Sequence, residues 1–355
     1  MATANQTVSV LLVAPSLRIL GGQAVQADHL YRRLSGEPWL KVGFLAVNPR
    51  LPGNLQDIKY VRTVITSLAY ILRLLWVVPQ YDVIHIFSAS YLSFVIAPTP
   101  AILIARLFGK KALLNYRSGE AEDHLTRWSS ARRTIRLMNG IVVPSGYLVD
   151  VFAKFGFHAK AIYNVVDTSR YTWRERVPLR PVFLANRNFE RLYRVDVILR
   201  AFALIQEARP DASLIVAGDG RERQVLLDLA KELKLRNVEF MGRVPQDRMP
   251  QLYNAADIYL NSSEIDNMPV SIIEAYASGT PVVTTNAGGI PYIVQHEQTG
   301  LLVPCGDHEA LAREALRLLA DADLASSIAR NAFTQCTNYQ WPAVRDQWRD
   351  LYRSI

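Results

Sequence analysis

The sequence predicts an α/β protein with two doubly wound domains, each built on a parallel sheet. Short, uninterrupted apolar runs alternate with segments of helical periodicity along the whole chain. Buried parallel strands have this composition, and their alternation with helices is the pattern of a doubly wound sheet. The chain has 355 residues, half of them hydrophobic, which is enough for two domains that each bury a core.

The first series of strands indicates an N-terminal domain over residues 1–172. It opens with the strand Val8–Ala14, which is followed by Gly21-Gly22 and by a helix that runs to about Leu34. Further strands are predicted at 41–47, 83–87, 112–116, 140–145 and 161–165.

A change of composition marks the boundary with the second domain. Residues 173–181 are rich in Arg and Pro, show no apolar period and are the best candidate for a linker. The second domain is predicted to span 182–340, and an aromatic-rich helix, 341–355, follows it. The strands of the second domain are predicted at 182–185, 213–217, 238–241, 258–261 and 281–285, and its main helices at 195–208 and 223–235.

Charge distinguishes the two halves. The net charge is +8; residues 1–172 carry 19 Lys plus Arg against 9 Asp plus Glu, and the rest carry 21 against 23. A basic domain beside a nearly neutral one predicts an anionic partner for the first domain. No recognised nucleic-acid motif accompanies this charge, so we favour anionic lipid or a lipid-linked acceptor over nucleic acid. The segment 67–79 is apolar apart from Arg73, which fits either docking on a membrane surface or burial inside the domain.

The bulk composition also predicts a compartment. The N-terminus has no basic and apolar leader pattern, and no apolar run approaches ~20 residues. Cys305 and Cys336 lie far apart without metal-site spacing, which favours a reducing environment. We therefore predict a cytoplasmic protein, with peripheral attachment at the inner membrane surface.

Two carboxylates eight residues apart, Asp266 and Glu274, are the most informative motif. Asp266 is predicted on a loop, and Glu274 is predicted inside a short helix that stops at Gly279. Glu274 and Ser271 share one face of this helix. A free helix N-terminus attracts phosphate, and carboxylates accept hydrogen bonds from vicinal hydroxyls. The motif thus indicates a site for a sugar, an anion and a diol in a row. A surface loop leading into an ordinary amphipathic helix is the alternative.

The segment from Asp266 to Glu274 resembles the E-x7-E signature of retaining glycosyltransferases of family 4 (glycosyl transferases group 1), with Asp in place of the first Glu. The resemblance implies the GT-B fold, in which two Rossmann-like domains face each other across a cleft and the C-terminal helix packs back on the first. It implies a metal-independent glycosyltransferase of the hexosyltransferase type. That enzyme moves a sugar from a nucleotide-diphosphate sugar, its co-substrate, to the hydroxyl of an acceptor, either lipid-linked or a cell-surface glycan precursor. No other cofactor is implied.

The resemblance also assigns roles along the motif. Asp266 would contact the donor sugar, and Glu274 would bind the ribose of the nucleotide. The residues between them would line the sugar pocket or present backbone N–H groups to the diphosphate: Asn267, Met268, Pro269, Val270 and Ser271.

Cations that would neutralise the leaving diphosphate are expected after the strand 182–185. Arg187 matches the family's Arg, whereas the family's Lys falls on Tyr193, so that Arg191 or Arg194 would have to substitute. Solvated loop arginines are the alternative for each of them. Arg117 stands where many relatives have a His, and we expect it to contact the acceptor or the sugar.

Glycine loops follow several predicted strands. Gly21 and Gly22 match the family's loop after the first strand, where a backbone without side chains approaches a phosphate, although a plain turn has the same composition. Gly218, Gly242 and Arg243 match loops that contact the nucleotide of the donor.

The sequence leaves rival functions open. A GT-B sugar-nucleotide epimerase or hydrolase would share most of these motifs, and so would a catalytically degenerate nucleotide-sugar-binding protein. No metal site is predicted: the one D-x-D triplet, Asp321-Ala-Asp323, lies between late helices, where a solvated turn is expected.

Overall fold

The structure is a computed structural model that describes residues 7–17, 22–48 and 59–355. Within these residues the chain divides into two compact units. Unit 1 comprises the described residues up to Val165 together with Val344–Ile355, and unit 2 comprises Val166–Ala343.

Unit 1 is built on a parallel sheet to which the described residues contribute six strands, in the order β2-β1-β3-β4-β5-β6. The strands are β1 (Val8–Ala14), β2 (Leu40–Ala46), β3 (Val83–Ser88), β4 (Lys111–Tyr116), β5 (Gly140–Val143) and β6 (Lys160–Ala161). The helices that follow them are α1 (Gly22–Ser35), α2 (Lys59–Val77), α3 (Leu92–Ile96), α4 (Pro98–Leu107), α5 (Ala121–Arg127), α6 (Ser129–Ile135) and α7 (Gly146–Lys154).

Unit 2 repeats this plan with a second parallel sheet of six described strands, in the order β12-β11-β10-β7-β8-β9. The strands are β7 (Val182–Ala185), β8 (Ser213–Ala217), β9 (Val238–Gly242), β10 (Ile258–Asn261), β11 (Val282–Thr285) and β12 (Leu301–Val303). The helices are α8 (Val195–Ala208), α9 (Arg223–Glu232), α10 (Met249–Ala255), α11 (Val270–Ala277), α12 (His308–Ala320) and α13 (Ala322–Gln335). Short 3-10 helices cover Val78–Gln80, Thr168–Arg170, Arg191–Tyr193, Ile290–Tyr292 and Cys336–Tyr339.

The last helix, α14 (Trp341–Ser354), packs on unit 1. The Tyr352 hydroxyl lies 2.6 Å from Nδ1 of His85 on β3, and the Trp348 ring lies 5.0 Å from the His85 ring, centroid to centroid. Val344, Trp348 and Tyr352 are buried at the helical spacing of four residues, so one face of α14 covers the sheet.

The predicted strands agree with the structure to within one residue at each end except at three places. The strand predicted at 140–145 ends at Val143. The run 161–165 forms only the two-residue strand β6, because its neighbour β5 ends at Val143 and the next residue, Pro144, has no N–H to continue the pairing. The strand β12 was not predicted, since three residues are too few to show a period.

The Arg-rich stretch 173–181 packs on unit 2. Asp257, which is fully buried, accepts hydrogen bonds from the side chains of Arg174 at 2.5 Å and Arg180 at 2.8 Å. Arg176 is also buried, and it donates to the carbonyl oxygens of Ala256, at 3.1 Å, and of three other residues of unit 2. A carboxylate taken out of water needs such partners, which explains the composition of the stretch.

Candidate functional site

The sheet of unit 2 has a topological switch point between β7 and β10. These strands are neighbours, yet the chain continues from β7 to β8 on one side and from β10 to β11 on the other. Open α/β sheets bind ligands at the carboxyl ends of the two strands that flank such a point. Arg187 follows β7 and Asp266 follows β10, so both predicted residues lie beside this crevice.

Arg187 and Asp266 form a buried ion pair. The Nη2 atom of Arg187 donates to a carboxylate oxygen of Asp266, and their side chains are 13% and 11% exposed. The Nη1 atom donates to the Ser271 hydroxyl at 3.3 Å. The Tyr193 ring covers the guanidinium, with 4.1 Å between Cζ and the ring centroid. The Nε atom is buried and has no hydrogen-bond partner among the described residues.

The charges of the pair are set by burial and by each other. Burial acts to lower the pKa of Arg187, but Asp266 and the neighbouring tyrosines Tyr193, Tyr259 and Tyr253 together outweigh it, and the net direction is upward. Burial raises the pKa of the Asp266 carboxyl, against the attraction of Arg187 and backbone hydrogen bonds from Met268 and Asn267. The guanidinium therefore keeps its positive charge over the whole useful pH range.

Two glycine loops hold the pair in place. A Cβ at Gly218, just after β8, would overlap the carbonyl oxygen of Arg187. A Cβ at Gly289 would overlap the carbonyl oxygen of Asn267, and the backbone N–H of Gly289 donates to the Asp266 carbonyl at 2.8 Å. Only glycine allows backbone to approach this closely, so both loops position the charged residues from behind.

The helix α11 presents an uncapped N-terminus beside the pair. It starts at Val270, as predicted; Pro269 at the N-cap makes no side-chain hydrogen bond, and the first turn has no acidic residue. Gly279 follows its end in the expected left-handed conformation, with φ of 70°. The first N–H groups of an uncapped helix attract an anion. Since Ser271 lies in this turn and also contacts Arg187, the helix end and the cation belong to one site.

Glu274 lies one turn further along α11 and is 7% exposed. The Tyr253 hydroxyl donates to its Oε2 atom at 3.0 Å, and Tyr171 donates a second hydrogen bond to the carboxylate. Burial raises the pKa of Glu274, although both hydrogen bonds act against this shift. A carboxylate held by two tyrosines is fixed in orientation and keeps lone pairs for further donors.

Several residues of this site were not predicted. Tyr193 covers Arg187, Tyr253 and Tyr171 hold Glu274, and the side chain of Asn186 donates to the Tyr253 hydroxyl at 2.8 Å. Only Asn186 could have been predicted from its position in the sequence. It lies next to Arg187 at the end of β7, and residues at the carboxyl ends of strands lie in the crevice. The tyrosines act through contacts that span long sequence separations.

Other predicted residues lie apart from the ion pair. Arg191 is 89% exposed and faces Glu222, with 3.4 Å between Nε and Oε1. Arg243 is exposed, beside Gly242, which has a positive φ of 66°. Arg194, the second candidate for the missing cation, pairs with Glu264 and Asp196. Among the described residues of unit 2, Arg187 is thus the one predicted cation that pairs with Asp266.

The remaining candidates belong to unit 1. Arg117 follows β4, donates to Oδ1 of Asn115 at 3.2 Å and lies 5.5 Å from the Phe87 ring centroid. Burial lowers its pKa to about 10. Gly22 is exposed and begins α1, after the first strand, whereas Gly21 lies outside the described residues.

The D-x-D triplet has a structural role. Asp321 caps α13, where its side chain accepts from the backbone N–H of Leu324 at 2.9 Å, and Asp323 lies in the first turn of that helix. Across the described ranges, no group of three or more His, Cys, Asp or Glu could hold a metal ion.

Known proteins resemble the chain most clearly in unit 2. Residues 172–335 match the family model for glycosyl transferases group 1. The N-acetyl-alpha-D-glucosaminyl L-malate synthase of Bacillus anthracis is 32% identical over 183 residues, which are 49% of this chain and 47% of that protein. The D-inositol 3-phosphate glycosyltransferase of Corynebacterium urealyticum is 34% identical over 174 residues, or 47% of this chain and 41% of that protein. The chain thus spans about half the length or less of these relatives.

Solved structures match over nearly the whole chain. HepE of Anabaena, in complex with UDP, has a TM-score of 0.77 at 18% identity and is covered over 100% of its length by 98% of this chain. The sucrose-phosphate synthase of Thermosynechococcus elongatus has a TM-score of 0.80 at 20% identity, with 98% of both chains covered. These likenesses and the two parallel sheets confirm the GT-B fold. The assignment to family 4 stays a prediction.

Proposed function

We propose that the protein is a retaining glycosyltransferase of family 4 that takes its sugar from a nucleotide-diphosphate donor bound at the switch point of unit 2. The observation that carries this proposal is the convergence of a buried cation, an uncapped helix and a buried carboxylate on one crevice. The family model that matches residues 172–335 is that of glycosyl transferases group 1, one relative is a glycosyltransferase by name, and HepE was solved with UDP, which supports a nucleotide donor.

Arg187 and the first turn of α11 would bind the diphosphate. The Nη1 group of Arg187, which now donates to the Ser271 hydroxyl, can donate to a phosphate oxygen instead. As the bond between the anomeric carbon and the diphosphate oxygen breaks, negative charge grows on that oxygen. Fixed positive charge in a buried site stabilises it more strongly than water does. We propose that this stabilisation needs no metal ion, so that activity should persist in excess chelator.

Glu274 would accept hydrogen bonds from the two ribose hydroxyls, as acidic residues of other nucleotide-binding folds do. Its two tyrosine partners leave lone pairs free for this purpose. Asp266, with Asn267, Met268 and Pro269, would line the sugar pocket. The carboxylate of Asp266 would then exchange part of its contact with Arg187 for a sugar hydroxyl.

The acceptor hydroxyl would attack the anomeric carbon on the face from which the diphosphate departs, and its proton would pass to the leaving group, so that the configuration is retained. We propose an acceptor that is lipid-linked or a cell-surface glycan precursor, and a location at the inner surface of the cytoplasmic membrane. The basic character of residues 1–172 supports this placement. In the described part of the chain, no helix is both long and apolar enough to cross a bilayer.

A donor screen tests the proposal. UDP-, GDP- and ADP-sugars are added singly, and the melting temperature is followed, since a ligand of the native state raises it. The donor that stabilises the protein is then tested for transfer to lipid-linked and soluble acceptors, and the anomeric configuration of the product is read by NMR. Release of free sugar with every acceptor would indicate a hydrolase or epimerase instead, and stabilisation without turnover a binding protein.

Glu274→Gln tests the ribose contact. The amide keeps the volume and the tyrosine hydrogen bonds but loses the charge, so donor affinity should fall about 10–100-fold, as expected for a hydrogen bond to a charged group. For a donor that carries 2′-deoxyribose, the affinity should differ much less between the wild type and Glu274→Gln. Glu232→Gln, an exposed site on α9, is the control. An equal loss for both donors would exclude ribose contact.

A further inference from the structure

The outer face of α2 and α4 is apolar. Side chains of unit 1 that a soluble helix would normally bury point outward here, and three of the largest are 78% (Trp76), 71% (Leu107) and 66% (Leu72) exposed. We call this face the α2–α4 surface; its members used below are Val64, Leu68, Leu72, Trp76, Leu103 and Leu107.

The pattern of α2 is the reverse of an ordinary surface helix. Apolar side chains recur every four residues from Val64 to Trp76 and are exposed, while Tyr70 and Leu74 on the other side are buried against the domain. Surface helices place charged and polar residues on their outward face, and a helix that is apolar all round has an apolar environment on both sides. The outward face therefore needs an apolar partner.

Charge around the surface indicates the kind of partner. Between residues 58 and 119 the sequence has a single carboxylate, Asp82, which is engaged by Ser9. Arg73 on α2, Arg106 on α4 and Lys111 are exposed. Apolar side chains bordered by cations and free of acidic residues are the composition of helices that lie in the interface of an anionic bilayer.

A groove runs beside the same helix. It has a volume of about 590 Å³ and lies between the end of β2 (Phe44, Leu45, Ala46) and the side chains of Leu72, Arg73, Trp76 and Val77. Its walls are apolar apart from Arg73. A groove of this size and lining accommodates a hydrocarbon chain, and Arg73 would lie within reach of the phosphate attached to such a chain.

We propose that the α2–α4 surface docks on an anionic bilayer, with α2 in the interface and the groove taking one lipid chain. This deepens the proposed membrane contact, and it depends on no step of the sugar transfer. A second copy of the chain fits less well. A symmetric contact through this surface would bring Arg73 and Arg106 of both copies together without a carboxylate to neutralise their charges.

Vesicle binding tests this inference. The wild type should sediment with vesicles of phosphatidylcholine containing about one third phosphatidylglycerol, and only weakly with phosphatidylcholine alone. The double variant Leu72→Ser/Trp76→Ser, which removes apolar area without changing charge, should bind at least tenfold more weakly. The control is Val225→Ser on α9, because Val225 is also an exposed apolar residue, 58%, and belongs to unit 2. The variants are at exposed positions, where folding is little affected.

Insertion is measured directly by fluorescence. Lipids with brominated acyl chains should quench the wild type more than Trp76→Phe, because Trp76 enters the bilayer. No binding to anionic vesicles, equal binding of the double variant, or equal quenching of Trp76→Phe would overturn the inference. A wild-type dimer that the double variant converts to a monomer, without vesicle binding, would assign the surface to a second copy. Donor-induced stabilisation is recorded on the same samples; if it persists while vesicle binding fails, only the docking is lost.

Discussion

The two units place very different groups beside similar sheets. In unit 2 the loops after β7 and β10 carry a charged pair, Arg187 and Asp266. In unit 1 the region around β3 and β4 carries a network in which the Tyr116 hydroxyl lies 2.8 Å from both Ser90 Oγ and His124 Nδ1, and the cation of Arg117 follows it in the chain. Two parallel sheets thus carry an ion pair in one unit and a hydroxyl–histidine network in the other.

The difference extends to the response to protons. Burial lowers the pKa of His85 to about 3 and that of His124 to about 4 in unit 1. Burial raises the pKa of Asp266 and Glu274 in unit 2. In both units burial disfavours the charged form, but the affected groups are bases in one and acids in the other. The comparison therefore predicts opposite pH dependence.

The largest effect is expected at Arg187. Arg187→Ala should lower kcat/KM about 10²–10³-fold, the loss typical of a fixed donor that stabilises developing negative charge. It should also cost about 3–5 kcal/mol of stability, because Asp266 is left buried without its partner. Activity assays and denaturant unfolding measure the two losses separately.

Two further variants separate charge stabilisation from stability. Arg187→Ala/Asp266→Ala should recover most of the stability and none of the kcat/KM. Arg209→Ala, an exposed arginine that pairs with Asp211, is the control and should leave both unchanged. Recovery of activity in the double variant would show that Arg187 only neutralises Asp266, which would remove the contrast between the units.

How much of this contrast the sequence predicts depends on how far apart in the sequence the contacting residues lie. The loop-and-helix pattern from Asp266 to Gly279 is local, and the structure has the predicted helix start and left-handed stop. The partner of Arg187 follows from strand order, since parallel strands bring their carboxyl ends together. The direction of Arg191 does not follow in this way, because it depends on Glu222 across a loop.

Long-range partners account for the rest. The linker predicted at 173–181 packs against Asp257, about 80 positions along the chain, and no local pattern reveals this pairing. Likewise, the apolar period of α2 predicts a helix but does not say which side faces outward. Only the packed structure shows that Leu72 and Trp76 face outward while Tyr70 and Leu74 are buried.

Acidification should affect the units in opposite directions. His85 has a folded pKa of about 3, below its ordinary 6.5, so its contribution to stability is full above pH 6.5 and is lost as the pH falls toward 3. The loss is about 1.4 kcal/mol per pH unit. Asp266 and Glu274 have raised values, so the native state gains protons more readily than the unfolded state and unit 2 is relatively stabilised as the pH falls.

Hydrogen exchange measures this for each unit within the intact chain, since opening free energies are obtained peptide by peptide. Between about pH 7 and pH 5, after correction for intrinsic rates, protection should fall in peptides from β3 and β4 and not in those from α11. In the variant His85→Gln, the slope of the opening free energy of unit 1 against pH should be smaller by the equivalent of about one proton. A parallel fall in both units would contradict the assignment.

The smallest effect is expected at Tyr193. Its size shows whether the Tyr193 ring holds the Arg187 guanidinium in position. The ring contacts the guanidinium at 4.1 Å, and cation–π contacts contribute about 0.5–2 kcal/mol. Tyr193→Ala should therefore lower kcat about 3–30-fold with a smaller change in donor affinity, because a mobile guanidinium still binds phosphate but is poorly placed as the bond breaks. Tyr193→Phe keeps the ring and should stay within about twofold of the wild type. Leu192→Ala, at a partly exposed neighbouring site, is the control. If Phe and Ala are equally impaired, the hydroxyl of Tyr193 acts on the donor itself.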